Sequence, residues 1–222
     1  MNYTLQFQEI WRNFDFFIEG IRYTLALSSL GMLIAVLLGT AVAMARNSKF
    51  KSIRGIAATY VEAIRNTPLI IQLWLFYFGL GEIGIQIPAF TCGLLTLAIN
   101  TGAYTAEIIR AGFEAVDKEF KEAAVSLGMN PWQTYRTVVF PIGFRAVLPA
   151  ICNMSIQCLL ASALVSILGV NELTNQAMRL SNKTFRSLES FATVAVIYII
   201  LTFCFTGFFG LLNKKMAKGS LH

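Results

Sequence analysis

The sequence predicts an all-α integral membrane protein with five transmembrane helices. The chain has 222 residues, of which 56% are hydrophobic, and its mean hydropathy is +0.62. Its apolar runs approach the roughly 20 residues that a helix needs to cross the hydrocarbon core of a bilayer. We place the five spans at residues 21–45, 56–81, 89–106, 147–170 and 191–212.

Composition argues against several other classes of protein. The basic residues give a net charge of +6 but form no run of five or more, so we expect no nucleic-acid partner. The four cysteines all fall in expected spans and the single histidine is His222, which disfavours a disulfide framework and a metal site. The chain has no P-loop motif, so we expect no bound nucleotide or other cofactor in this chain.

Residues 1–20 are expected to form an amphipathic segment on the membrane surface. Aromatic rings, which favour the interface, are interspersed with acidic side chains: Phe7, Trp11, Phe14, Phe16 and Phe17 with Glu9, Asp15 and Glu19. The segment lacks the basic start and apolar core of a signal peptide. A disordered tail is the alternative.

The first two spans differ in regularity. The first contains Gly31 and Gly39, where another helix could approach closely. The second contains Glu62 and Arg65 one helical turn apart, followed by Pro68, which must disturb the hydrogen bonding behind it. Without the part before Pro68, the apolar run from 69 to 80 is too short to cross a membrane.

The basic residues predict the orientation of the chain. If the long loop between the third and fourth spans is cytoplasmic, the inner side carries twelve of the 18 Lys and Arg residues and the outer side five. Arg65 lies inside a span. Because cytoplasmic loops carry the excess of positive charge, we expect the N-terminus outside and the C-terminus in the cytoplasm.

The stretch from 107 to 141 is the one long polar island and holds five of the 12 acidic residues. Its pattern predicts helix, turn, helix. Gly128 can end the first helix in a left-handed conformation, and Asn130 with Pro131 can start the second. An apolar stripe supports the first helix: Phe113, Val116, Phe120, Ala123, Ala124 and Leu127. Two pairs of opposite charge four residues apart also support it: Glu114 with Lys118, and Asp117 with Lys121. A solvated loop is the alternative.

Three motifs in this chain resemble the permeases of ABC importers. Glu122, Ala123 and Ala124, then Gly128 after three residues and Pro141 thirteen further on, resemble the EAA loop that docks into the ATPase subunit. AYTAEIIRAG from Ala103 and RNTPLIIQLWLFYFGL from Arg65 resemble the polar amino acid branch of that family. The resemblance extends from about Arg22 to the C-terminus.

The resemblance implies the type I ABC importer permease fold, with a permease domain over 21–222 and a cytoplasmic coupling loop at about 107–146. It also implies a multi-pass protein of the bacterial inner membrane that moves polar, including acidic, amino acids into the cytoplasm and has no ATPase site of its own. The implied partners are two ABC ATPase subunits, which would bind ATP and Mg, a second permease that is identical or homologous, an extracytoplasmic solute-binding protein, and membrane lipid.

Polar side chains within the spans are candidates for a solute path, because they are costly in lipid and tend to face a water-filled interior. We select five of them: Asn100, Ser162, Gln157, Arg65 and Gln72. Structural roles are the alternatives. Glu62 and Arg65 could pair with each other, and Asn153 could bond Gln157 four residues on.

Two departures from the family pattern bear on the solute. Residues 142–145 read Ile-Gly-Phe-Arg, where many relatives have glutamine and alanine before the arginine. Residues 160–164 read Leu-Ala-Ser-Ala-Leu, where relatives often have lysine, an acid or asparagine, threonine, serine and leucine. The missing acid argues against a cationic amino acid, and ESFA from Glu189 and VEAIRN from Val61 resemble permeases for glutamate and aspartate.

Two other classes of function are weaker alternatives. An ion-coupled carrier or channel is disfavoured because five spans without an internal repeat make a poor self-sufficient carrier. An intramembrane enzyme is disfavoured because no set of nucleophile, base and metal ligands stands at membrane depth.

Overall fold

The computed structural model describes residues 4–218, with side chains described up to residue 211. Nine helices account for nearly all of this part of the chain: α1 (Gln8–Arg12), α2 (Asp15–Arg46), α3 (Lys51–Arg65), α4 (Leu69–Glu82), α5 (Ala89–Glu114), α6 (Lys118–Ser126), α7 (Pro131–Leu168), α8 (Leu173–Thr184) and α9 (Ser187–Lys218). Four of them, α2, α5, α7 and α9, are long and apolar enough to cross a membrane.

The second predicted span is not one helix, which corrects the assignment of residues 56–81. Helix α3 ends at Arg65, and α4 begins only at Leu69. Between them Pro68 is extended, with φ −58° and ψ 137°. Proline has no backbone N–H and restricts the residue before it, so the helical hydrogen bonding stops there. The 14 residues of α4 span only about 21 Å, less than a hydrocarbon core of about 30 Å.

Helices α2 and α5 run in the same direction and pack closely through small residues. A Cβ added to Gly39 would lie 2.8 Å from Cβ of Thr105, and one added to Gly102 would lie 3.0 Å from Leu38. Gly31 faces Leu97 at ordinary van der Waals distance. The predicted close approach is therefore confirmed at Gly39, whereas Gly31 has room for a side-chain carbon. The contact at Gly39 provides the tight packing by which helices associate in lipid.

Helix α7 crosses α5 through a second set of glycines. Gly93 and Gly112 of α5 meet Val165 and Val147 of α7, respectively. In the other direction, a Cβ on Gly143 of α7 would lie 2.7 Å from the ring of Phe113. The two helices are thus fixed against each other near both ends, with α6 at one end of the bundle.

The N-terminal segment packs onto α8 at the other end of the bundle. Ile10 and Phe17 are buried in one cluster with Leu173 and Leu180 of α8 and with part of α9. Helix α2 begins at Asp15, so the expected boundary at residue 20 falls inside it. Residues 8–20 are mostly helical rather than a disordered tail, and a location on the membrane surface stays a prediction.

A buried carboxylate joins α8 to α9 at this same end, and a hydrogen bond beside it adds α2. Glu172 is 0% exposed and caps α8 by accepting hydrogen bonds from the backbone N–H groups of Thr174 (2.9 Å) and Asn175 (2.7 Å). The hydroxyl of Tyr198 in α9 donates to the same carboxylate (3.1 Å). The backbone N–H of Leu173, the residue after Glu172, donates to the hydroxyl oxygen of Thr24 in α2. Burial raises the pKa of Glu172 to about 7, against the opposing effect of these donors.

Candidate functional site

The polar island folds as the predicted helix, turn and helix from Lys118 onward. The predicted first helix is shorter than its apolar stripe, because Phe113 belongs to α5, which ends at Glu114, and Val116 lies between α5 and α6. Helix α6 ends in a turn in which Gly128 has φ +77°, the left-handed region that glycine tolerates best. Asn130 then starts α7 with a reciprocal capping box: its side chain accepts from the N–H of Gln133, and the Gln133 side chain accepts from the N–H of Asn130, both at 2.9 Å. Pro131 occupies the first turn, so both ends of the turn are locally fixed.

Helix α6 presents an apolar strip away from the bundle, which we call the coupling face: Phe120, Ala123 and Leu127. Their spacing of three and four residues puts them on one side of the helix. Phe120 is 50% exposed and Leu127 is 78% exposed. The other side is anchored, because Ala124 and the preceding Val116 are buried. The predicted stripe therefore divides into an inner and an outer part.

The four residues assigned to ATPase contact do not share one environment. Glu122, Ala123 and Gly128 are exposed, whereas Ala124 packs inward. A contact of Ala124 with another protein is thus less direct than the motif implies, and its neighbour Ala123 lies on the coupling face. The assignment of these residues to docking stays a prediction.

The charges beside α6 form a network that differs from the predicted pairs. Arg110 pairs with Glu107 and with Glu114, and Arg46 at the end of α2 pairs with Glu107. The ion pairs within the described part of the chain do not include Glu114 with Lys118 or Asp117 with Lys121. The network ties the ends of α2 and α5 together at the level where α6 leaves the bundle.

Two of the five predicted path residues meet at the break between α3 and α4. Gln72 is 3% exposed, and its amide nitrogen donates to the carbonyl oxygens of Ile64 (2.8 Å) and Thr67 (3.0 Å). Its amide oxygen accepts from the side chain of Asn100 in α5 (3.1 Å). The pair satisfies backbone groups that the break leaves open and holds both half-helices against α5.

Arg65 lies at the same break, and its side chain is exposed. The guanidinium carbon is 5.3 Å from the ring centre of Tyr104, and the Tyr104 hydroxyl donates to the backbone oxygen of Arg65 (3.3 Å). The alternative pairing of Glu62 with Arg65 is wrong, since Glu62 instead accepts from Asn66 (3.2 Å). Arg65 lies between Ile64 and Thr67, whose carbonyls accept from Gln72, so we group Arg65, Gln72 and Asn100 as the polar cluster at the break.

The remaining two path residues are on α7 and are not part of that cluster's hydrogen bonds. Ser162 is 0% exposed, and its hydroxyl donates to the carbonyl of Leu159 in its own helix (2.7 Å). Gln157 is exposed, as is Asn153 one turn before it. Within the described residues neither of these two amides has a hydrogen-bond partner, so the alternative of a bond between them is wrong.

Sequence reasoning missed two features of these sites. Tyr60 of α3 donates from its hydroxyl to the carbonyl of Ile99 (2.7 Å) and so fixes α3 to α5, although it reads as an ordinary residue of an amphipathic helix. Gln176 of α8 is fully buried, and neither of its amide atoms has a partner among the described residues. The described residues contain no group of three or more His, Cys, Asp or Glu side chains that could hold a metal ion.

Residues 28–218 match the family described as binding-protein-dependent transport system inner membrane component. The chain belongs to this family. It is 34% identical over 209 residues to the glutamine transport system permease protein GlnP of Escherichia coli (strain K12), covering 93% of this chain and 95% of that one. It is 33% identical over 217 residues to the arginine transport system permease protein ArtQ of Bacillus subtilis (strain 168), covering 97% and 99%.

Solved structures agree with this family assignment. A crystal structure of an amino acid ABC transporter with histidines is 41% identical, with a TM-score of 0.92 over 96% of this chain and 100% of that chain. The inward-facing MetNI methionine ABC transporter has a TM-score of 0.70 at 18% identity, which indicates a shared fold alone. The predicted resemblance to ABC importer permeases and the predicted all-α permease fold are confirmed. The described residues contain four candidate membrane spans instead of the predicted five, and the orientation of the termini stays a prediction.

Proposed function

We propose that this chain is the permease subunit of an ATP-binding cassette importer that moves polar amino acids into the cytoplasm, and that α6 couples it to a separate ATPase. The observation that carries the proposal is the coupling face. An apolar strip on a short helix that ends in a fixed turn fits a groove on another protein, as amphipathic helices commonly do. The amino acid permeases among the relatives support the transport role.

The coupling role follows from how α6 is attached. It lies between α5 and α7 and is fixed through buried Val116 and Ala124 and through the capping box at Asn130. A displacement of α6 by a moving ATPase would therefore be passed to the membrane helices rather than absorbed in a loop. Glu122, Ala123, Ala124 and Gly128 are the residues we assign to this contact.

The proposed transport role also implies the other subunits of the importer, its membrane and the orientation of this chain. Two ATPase subunits would bind ATP and Mg on the cytoplasmic side, and an extracytoplasmic solute-binding protein would deliver the amino acid. A second permease, identical or homologous, would complete the path in the bacterial inner membrane. The N-terminus would lie outside and the C-terminus in the cytoplasm, as the twelve inner basic residues indicate.

For the solute we favour a neutral polar or acidic amino acid. Residues 160–164 carry no acid that could pair with a cationic side chain. The polar cluster of Arg65, Gln72 and Asn100, together with Gln157 and Ser162, forms the proposed path. A relative that transports glutamine supports this class, whereas one that transports arginine makes the cationic amino acids the competing class to be tested.

The coupling proposal is tested by removing apolar surface from α6. Leu127→Ser deletes the most exposed side chain of the coupling face, and burial of such a side chain contributes about 1.5–3 kcal/mol. We expect roughly tenfold or greater weakening of ATPase co-purification and a matching fall in uptake. Leu188→Ser, at the opposite end of the bundle and 59% exposed, is the matched control and should retain the ATPase. If Leu127→Ser holds the ATPase as well as Leu188→Ser does, α6 is not the docking element.

A further inference from the structure

We propose that Arg65 binds the carboxylate of the amino acid as it passes the break between α3 and α4. The inference rests on the proposed function and goes beyond it by assigning a contact to one part of the solute. It makes the break a carboxylate subsite that is common to every amino acid the permease accepts.

The depth of Arg65 in the bundle is the first argument. Its partner Tyr104 is 15 residues after the start of α5 and ten before its end, which is about 22 Å from one end and 15 Å from the other. This level lies about one helical turn from Glu107, on the membrane side of the charged network at the inner end of α5, and within a hydrocarbon core of about 30 Å. An arginine at such a depth is costly in lipid, so it belongs against water, protein or a bound anion.

The state of the guanidinium is the second argument. Tyr104 covers one face of it, and within the described residues its N–H groups make no hydrogen bond or ion pair. The nearby acid does not supply a partner. Glu107 interacts electrostatically with Arg65, but its carboxylate forms ion pairs with Arg46 and Arg110 instead. The planar guanidinium of Arg65 therefore has N–H donors available for a ligand at this level of the bundle.

Rigidity of the surroundings is the third argument. The backbone of Arg65 is held by the Tyr104 hydroxyl, and Tyr60 fixes the preceding turn of α3 to α5. On the far side of the break, the bonds of Gln72 with Asn100 and with the α3 backbone hold α4 in place. Because the backbone on both sides of the break is fixed and Tyr104 contacts the guanidinium, the Arg65 side chain starts from a fixed position, which favours binding.

The chemistry of the fork selects the ligand. Guanidinium matches a carboxylate with two parallel N–H···O bonds, and these are stronger than bonds between neutral groups. The α-carboxylate is the anionic group shared by glutamine, glutamate and arginine. An arginine at this point would thus accept each of them and reject an analogue in which that carboxylate is an amide.

The test uses the complete importer in nanodiscs, with L-glutamine, L-glutamate, L-arginine and L-glutaminamide as probes. Binding is measured by calorimetry without the binding protein, and uptake is measured in proteoliposomes with the binding protein and ATP present. We expect Arg65→Gln to weaken binding of the carboxylate-bearing probes and to slow their uptake by roughly tenfold or more. Arg65→Lys should retain part of both, and Arg54→Gln, an exposed arginine earlier in α3, should change neither.

Three outcomes separate the two proposals. If wild-type importer takes up neither these three amino acids nor any other polar amino acid, the proposed function fails. If wild type transports and Arg65→Gln transports at the same rate, only the carboxylate subsite is overturned. If wild type binds L-glutaminamide as tightly as L-glutamine, the subsite is likewise overturned, because the carboxylate then contributes nothing.

Discussion

Glu172 should make the stability of the folded protein depend on pH, and the direction can be worked out from its environment. Its pKa rises from an ordinary value of 4.5 to about 7 because the side chain is fully buried. The folded state therefore binds a proton that the unfolded state has released over this range. Stability from this group is complete below about pH 4.5 and is lost as the pH rises through 7.

The size of the effect follows from the same two values. A difference of about 2.5 pH units, at about 1.36 kcal/mol for each, corresponds to about 3 kcal/mol. For a chain of this length, 1 kcal/mol moves the melting temperature by about 2–4 °C, so the full change is on the order of 10 °C. The donors from Thr174, Asn175 and Tyr198 reduce the change without reversing it, because each favours the charged form.

The measurement compares wild type with Glu172→Gln, which keeps the shape of the side chain and removes the titration. The melting temperature of the purified protein, followed by intrinsic fluorescence from pH 5 to pH 8, should fall for wild type and stay nearly level for the variant. Glu119→Gln, an exposed acid in α6, should follow wild type. A wild-type melting temperature that rises with pH, or an equal slope in Glu172→Gln, would refute the reasoning.

Two further changes test the close packing and the turn. Gly39→Val should lower the melting temperature by several degrees, since the new side chain must displace Thr105 at a cost of about 1–3 kcal/mol. The control Gly55→Val has open space and should lower it far less. Equal melting temperatures of the two variants would contradict the close approach of α2 and α5. Gly128→Val should reduce uptake more than Gly128→Asn at equal membrane insertion, because asparagine tolerates a φ of +77° and a β-branched residue does not. Uptake assays measure the rate, and immunoblotting of membranes measures the insertion. Equal uptake by the two variants would show that the turn geometry is not needed.

Local patterns in the sequence were sufficient where local physics decides the structure. Gly128, Asn130 and Pro131 predicted the turn of the coupling segment because positive φ, capping and the first helical position are properties of single residues. Hydropathy over 56–81 failed at Pro68 because an average over a window does not register one missing N–H. Pro68 marks the break in the sequence, since its missing N–H ends the helix whatever the hydropathy of the residues around it.

The environment of side chains was harder to predict because it depends on distant helices. Polarity alone nominated Ser162 for the path, yet its hydroxyl is satisfied by the carbonyl of Leu159. Glu172 was not singled out, since its burial arises only when α2 and α9 close over the start of α8. The joining of Gln72 with Asn100 likewise required the position of α5 beside the break.

The length of α7 has a mechanical consequence. Its 38 residues form one continuous helix, wider at Tyr135–Val139 and tighter at Ser162–Leu168. It runs from the turn at Gly128 to the end of the bundle where Glu172 lies, a distance on the order of 55 Å. A rod of that length, pivoting near one end, turns a tilt of about 10° into a sweep of roughly 10 Å at the other. Widened helical turns at Tyr135–Val139 and the proline at position 149 are the places where such a lever would bend first.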